Sequence, residues 1–133
     1  MRRVTAAFGL ASLLLLAGCA SGPDLLQCQA VAELDTELEA FFDADNAEAG
    51  TGGAEEQLQQ LGELADAYSE VEVDGDLKEA TSSVGDKLNE LLAYRIAVQD
   101  GDAPDPAREK ELRREAIDAF VNMQTICIEA NAS

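Results

Sequence analysis

The chain has no His and no Trp, only 9 Lys and Arg against 27 Asp and Glu, and just 3 Cys and 3 Pro in 133 residues. Each shortage excludes something. Without imidazole there is no His-based zinc or copper site and no Ser-His-Asp or Cys-His machinery. With so few cations there is no basic footprint for nucleic-acid phosphates, so no nucleic acid is expected as a partner. There is no Gly-x-Ser-x-Gly elbow and no phosphate-binding Gly-rich loop, and Ser82-Ser83 has no His anywhere to act as base. Carboxylate pairs are plentiful and therefore uninformative. No catalytic residue and no cofactor is expected.

What is present argues for a folded domain. A hydrophobic fraction of 47% is too high for a disordered acidic chain, even at a net charge of −18. A length near 130 residues predicts one domain.

The N-terminus reads as an address. Arg2 and Arg3 form a short basic region, and Val4 to Leu16 is apolar and uncharged. That run is too short to span a bilayer comfortably, which takes about 20 residues. It ends in Leu16-Ala17-Gly18-Cys19. The combination resembles the signal and lipobox of bacterial lipoprotein precursors, over residues 1–19 only. The resemblance implies a diacylglyceryl (palmitate-type) modification of Cys19 and removal of residues 1–18. It implies an extracytoplasmic protein anchored to a bacterial membrane through lipid, because two acyl chains hold stably where one does not. Ala20, not Asp, follows the Cys. In a host with two membranes this favours the outer one. The expected organisation is a signal peptide over 1–18, a lipidated tether over 19–23, and a single bundle domain over 24–133. The mature chain carries 7 basic and 27 acidic residues, a net charge of −20. Such a charge keeps a protein soluble and repels anionic lipid.

Cys28 and Cys127 remain once Cys19 is set aside. In a compartment that permits disulfides, an even pair reads as a bridge. The alternative is two buried thiols behaving as small apolar residues.

Four helical segments are expected. The first starts at Asp24, where Asp24 and Gln27 resemble a capping box, and carries Val31, Leu34, Leu38 and Phe41. Residues 43–54, with Gly50, Gly52 and Gly53, read as a loop. The second carries Leu58, Leu61, Ala65 and Tyr68, flanked by Leu64 and Val71. The third starts after Asp76 and carries Leu77, Ala80, Val84, Leu88, Leu91 and Val98, with Ser82-Ser83-Val84-Gly85 as a point where it can kink. Asp100-Gly101-Asp102 ends it. Asp105-Pro106 opens the fourth, with Pro at the first helical position and a stripe of Leu112, Ala116, Phe120, Met123 and Cys127. The cysteines select the topology. A disulfide needs Cα atoms within about 7 Å. An up-down-up-down antiparallel four-helix bundle brings both ends of the chain level, whereas three helices set them a helix length apart. The expected fold is therefore all-α, a four-helix bundle closed by a terminal disulfide.

Three side-chain groups remain. Asp43, Asp45, Glu48, Asp100, Asp102 and Asp105 fall in the two loops at one end of such a bundle, as a loose acidic cluster for a divalent cation such as calcium or as turn and cap formers. Residues 45–56 and 100–111 each match part of an EF-hand, but neither ligand set is complete. The basic run Arg108, Lys110, Arg113, Arg114 suggests either an acidic partner or intrahelical pairing of Glu109 with Arg113 and Glu111 with Arg114. Arg95 on the third stripe reads as a snorkelling edge residue or a buried counterion. Phe41, Phe42, Tyr68, Tyr94 and Phe120 read as core or as groove lining. The expected function is non-catalytic: a membrane-anchored module that binds or scaffolds another envelope protein. Cation capture, or a small ligand held between the helices, are the alternatives.

Overall fold

The computed structural model describes residues 25–47 and 54–132. Four helices follow one another: α1 (Leu25–Ala47), α2 (Ala54–Glu70), α3 (Gly75–Gln99) and α4 (Pro106–Ala132). Each packs on its neighbours in sequence, and α1 closes the ring against α4; the diagonal pairs stay apart at the backbone and meet only through side chains. This is an up-down-up-down four-helix bundle, with no strand among the described residues. No described helix is long and apolar enough to cross a membrane.

The apolar stripes face inward as their spacing requires. Val31, Leu38, Phe41 and Phe42 from α1 meet Leu61, Leu64, Ala65 and Tyr68 from α2. Leu77, Ala80, Val84, Leu88 and Leu91 from α3, with Leu112, Ala116, Phe120 and Met123 from α4, complete the core. The tightest association is between α2 and α3, and one glycine explains it. A Cβ on Gly85 would collide with the Ser69 hydroxyl and stand 3.0 Å from the Ala65 carbonyl oxygen. Ser69 is meanwhile held by its own bond to that carbonyl, at 2.9 Å. The Ser-Ser-Val-Gly segment, expected as a kink, lies within an unbroken helix. Gly85 there serves close approach to α2.

The ends are set locally. The Asp105 carboxylate accepts from the backbone N–H groups of Ala107 and Arg108 at 3.2 Å and caps α4 ahead of Pro106. Gly101, at φ +119°, terminates α3; its N–H reaches the Val98 carbonyl and that of Asp102 the Ala97 carbonyl. Tyr94 latches the same loop, its hydroxyl donating to the Asp105 carbonyl at 2.9 Å and accepting from the Asp105 N–H at 2.8 Å. Lys78 donates to the Ser69 and Val71 carbonyls, placing a cation at the C-terminal end of α2. Two boundaries differ from expectation. α1 runs on through residues 43–47, which were expected as loop, because Asp45 faces the core there. α3 begins at Gly75 after an Asp74 cap, not after Asp76. The Asp24 cap and Gly50, Gly52 and Gly53 lie outside the described residues.

Cys28 and Cys127 form a disulfide with Cα atoms 5.8 Å apart across a sequence separation of 99. Closing a loop of that size removes about 4.7 kcal/mol of chain entropy from the unfolded state. Replacing both cysteines by Ser is expected to lower stability by about 2–5 kcal/mol, read as a fall in the urea midpoint at constant slope. Gly85→Ala is expected to cost about 1–3 kcal/mol despite the better helix propensity of Ala, because the α2–α3 contact must open. A neutral or stabilising Gly85→Ala would show that this contact is loose.

Candidate functional site

At the end of the bundle opposite the disulfide, three helices send charged groups inward. Arg95 of α3 makes a two-pronged pair with Asp45 of α1, both N–O distances 2.9 Å. Its remaining edge meets the Glu109 carboxylate of α4, again at 2.9 Å. Arg113 of α4 reaches the second oxygen of Asp45 at 3.0 Å, and its guanidinium lies 5.8 Å from the centre of the Phe42 ring. The side chains of Asp45 and Arg95 are only 7% and 14% exposed. Burial works against the charge on Arg95, but the Asp45 and Glu109 carboxylates outweigh it and raise its pKa. Arg95 is thus the buried counterion of the two expected readings, with its head in the bundle. Neither intrahelical pair expected along the basic run forms. Glu109 faces Arg95, Arg113 turns in to Asp45, and Glu111 pairs with Arg108 at 2.8 Å. Arg113 sits on the inner face beside Phe42, so the interhelical partner is nearer than the intrahelical one.

Among the described residues, the acids weighed as cation ligands do not come together as a group. Asp45 is taken up by two guanidinium groups. Asp105 caps α4, Asp100 is the C-terminal cap of α3, and Asp43 and Asp102 are exposed. Glu48 lies outside the described residues, as does Cys19. Among the described residues, no three His, Cys, Asp or Glu side chains are grouped to hold a metal ion. Of the aromatic residues, Phe41, Phe42, Tyr68 and Phe120 are core, and Tyr94 is the loop latch.

A second polar pair crosses from α1 to α2. The hydroxyl of fully buried Tyr68 donates to Asp35 at 2.8 Å. Burial raises the Asp35 carboxyl from 3.8 to about 6, offset in part by the Tyr68 bond and reinforced by nearby Glu39. Burial, and then Asp35, push the Tyr68 hydroxyl pKa up as well. No buried side-chain nitrogen or oxygen among the described residues lacks a partner.

Asp35 belongs to no motif in the sequence, and Asp45 reads there as a cation ligand or as a turn and cap former. Yet Cys28, Val31, Asp35, Leu38, Phe42 and Asp45 are spaced 3-4-3-4-3. Glu109, Arg113, Ala116, Phe120, Met123 and Cys127 are spaced 4-3-4-3-4. Charges on an unbroken core stripe were the available signal.

The outer surface of α4 is different in kind. Lys110, Arg114, Ile117 and Val121 follow a 4-3-4 spacing and are all exposed. Lys110 and Arg114 have no ion-pair partner among the described residues, whereas Lys87 is shared by Glu90 and Glu115, and Arg95, Arg108 and Arg113 are all paired. Arg108, Lys110 and Arg114, with Asp105, Ala107 and Glu111, border a shallow open groove of about 490 Å³ at the start of this face.

No family model, no curated protein and no solved structure matches the chain.

Arg95→Ala removes the two-pronged bond to Asp45, leaving that carboxylate to Arg113 alone, and is expected to cost about 1.5–3 kcal/mol, against less than about 1 kcal/mol for Lys87→Ala in its exposed pairs. Equal, small effects would mean that the cluster is solvated. The folded protein holds the Asp35 proton more tightly than the unfolded chain does. This group therefore favours folding below pH 4 and loses that contribution as pH rises from about 3.8 to about 6. Asp35→Asn keeps an acceptor for Tyr68 and is expected to remove that slope. At pH 7 it should stabilise by about 1 kcal/mol, the shift being discounted for the partial exposure of the carboxyl. Urea titrations of both proteins from pH 4 to pH 7 check it.

Proposed function

We propose that this protein is a lipid-anchored, extracytoplasmic bundle of the bacterial envelope that binds another envelope protein along the outer face of α4, without catalysis. The observation that carries the reading is the run of Lys110, Arg114, Ile117 and Val121 on one exposed face. In a chain with 27 acids and 9 bases, two neighbouring cations without an acidic partner among the described residues are unusual. They continue directly into exposed apolar side chains. A helix presenting acidic groups at one end and apolar groups along its length is the complementary shape and charge. The lipobox at Leu16-Ala17-Gly18-Cys19 supports the anchor, and the cysteine pairing suits the compartment that the anchor implies.

Two other readings have less behind them. Cation capture loses Asp45 to the arginines. A small ligand between the helices finds that space filled by core side chains.

A photoreactive amino acid at position 117 or 121 in cells is expected to give one discrete adduct with another protein. Lys110→Glu with Arg114→Glu should suppress that adduct without unfolding the bundle. A folded, membrane-extracted protein that yields no adduct from either position removes the reading. Intact mass of the same material tests the anchor, which adds a diacylglyceryl group to a chain beginning at Cys19.

A further inference from the structure

The disulfide end of the bundle carries exposed apolar side chains that no core contact explains. Leu25 and Leu26, the first residues of α1, are 66% and 75% exposed, and Ile128 near the end of α4 is 66% exposed. All three lie within a turn of the bridge, Leu25 and Leu26 just before Cys28 and Ile128 just after Cys127. The α2–α3 turn shares this end, since the Asp74 N–H donates to the Gln27 side chain at 3.3 Å.

We infer that this end rests on the bilayer, with Leu25 and Leu26 entering the headgroup–acyl boundary and Ile128 beside them. The inference rests on the reading of Cys19 as the anchored residue. From Cys19 to Leu25 the chain spans at most about 21 Å when extended. A thiol-linked lipid therefore keeps the start of α1 within reach of the membrane surface, and the opposite end of a bundle this long is out of reach. The occupant is a zwitterionic surface. Glu72, Asp74, Asp76 and Glu129 flank this end, and anionic headgroups would be repelled by them. A second copy is disfavoured by the same charges. The contact uses the end of α1, leaving the Lys110–Val121 face turned sideways and open to a protein partner.

The chain has no Trp, so one introduced indole reports one position. The experiment uses the full lipidated protein as Leu26→Trp, with Leu25→Trp as a second exposed site, in phosphatidylcholine vesicles with and without brominated acyl chains. Ile117→Trp, about 16 Å further along α4 than Ile128, serves as the depth control. The expected result is blue-shifted emission at 25 and 26, quenched at least about twofold by brominated chains, as for a group about 5–10 Å into the boundary. Ile117→Trp should remain unquenched. Blue-shifted emission without quenching means that protein, not lipid, covers the leucines, and overturns the inference. Quenching at 117 means that the bundle lies flat, and overturns it too. If vesicles carry the protein and its mass shows a lipidated Cys19, an unquenched indole at both 25 and 26 sinks this inference alone. A Cys19 without lipid sinks the anchor reading, and this inference with it.

Discussion

α1 meets α4 along a thin seam, and what holds that seam differs at its two ends. At one end Cys28 and Cys127 are joined covalently. At the other, Asp45 is gripped by Arg95 and Arg113. Between them the two helices share core side chains and a Glu39–Gln124 hydrogen bond at 3.4 Å. By contrast α2, α3 and α4 pack as a continuous sheet of helices, tightest where Gly85 admits α2. The first helix is thus the one whose place in the bundle depends on cross-links. A disulfide acts mainly by narrowing the unfolded ensemble, and the ion cluster acts by geometry in the folded one. The two are complementary in kind.

The cluster adds a directional constraint that the apolar stripes lack. A buried ion pair often does no better than well-packed apolar residues of the same volume, yet removing one partner is costly. Its forked geometry is directional where Leu and Ala stripes are not. Only one register of α1 against α3 and α4 brings Asp45 to both arginines. The Asp35–Tyr68 bond sets α1 against α2 in the same way. Each polar group on an inner stripe is satisfied by a group on another helix, or by its own backbone as with Thr81 and the Lys78 carbonyl.

Charge distribution links the fold to its proposed role. Most of the described acids lie on the exterior, where they oppose self-association and repel anionic surfaces. Most cations serve the structure: Lys78 at the α2 terminus, Arg95 and Arg113 in the cluster, Lys87 and Arg108 in pairs with Glu. Lys110 and Arg114 have no ion-pair partner among the described residues, and they lie next to the two apolar residues that continue their face.

By itself the sequence determined the four helices, most of their inward stripes, the Asp105-Pro106 start of α4 and the Asp100-Gly101-Asp102 stop of α3. These depend on spacing, capping and backbone chemistry, which are local and therefore readable along the chain. The cysteine pair determined the even helix count, because a covalent distance limit is independent of packing detail. Tertiary structure alone decided which acid meets which base. Glu109 has Arg113 four residues away and ignores it for Arg95, since a charge on the inner face pairs with whatever the facing helix presents. It also decided that Gly85 is a contact point with α2, and that Asp45 belongs to the core and not to a loop. Those outcomes depend on the rotation and register of neighbouring helices, which no single segment contains.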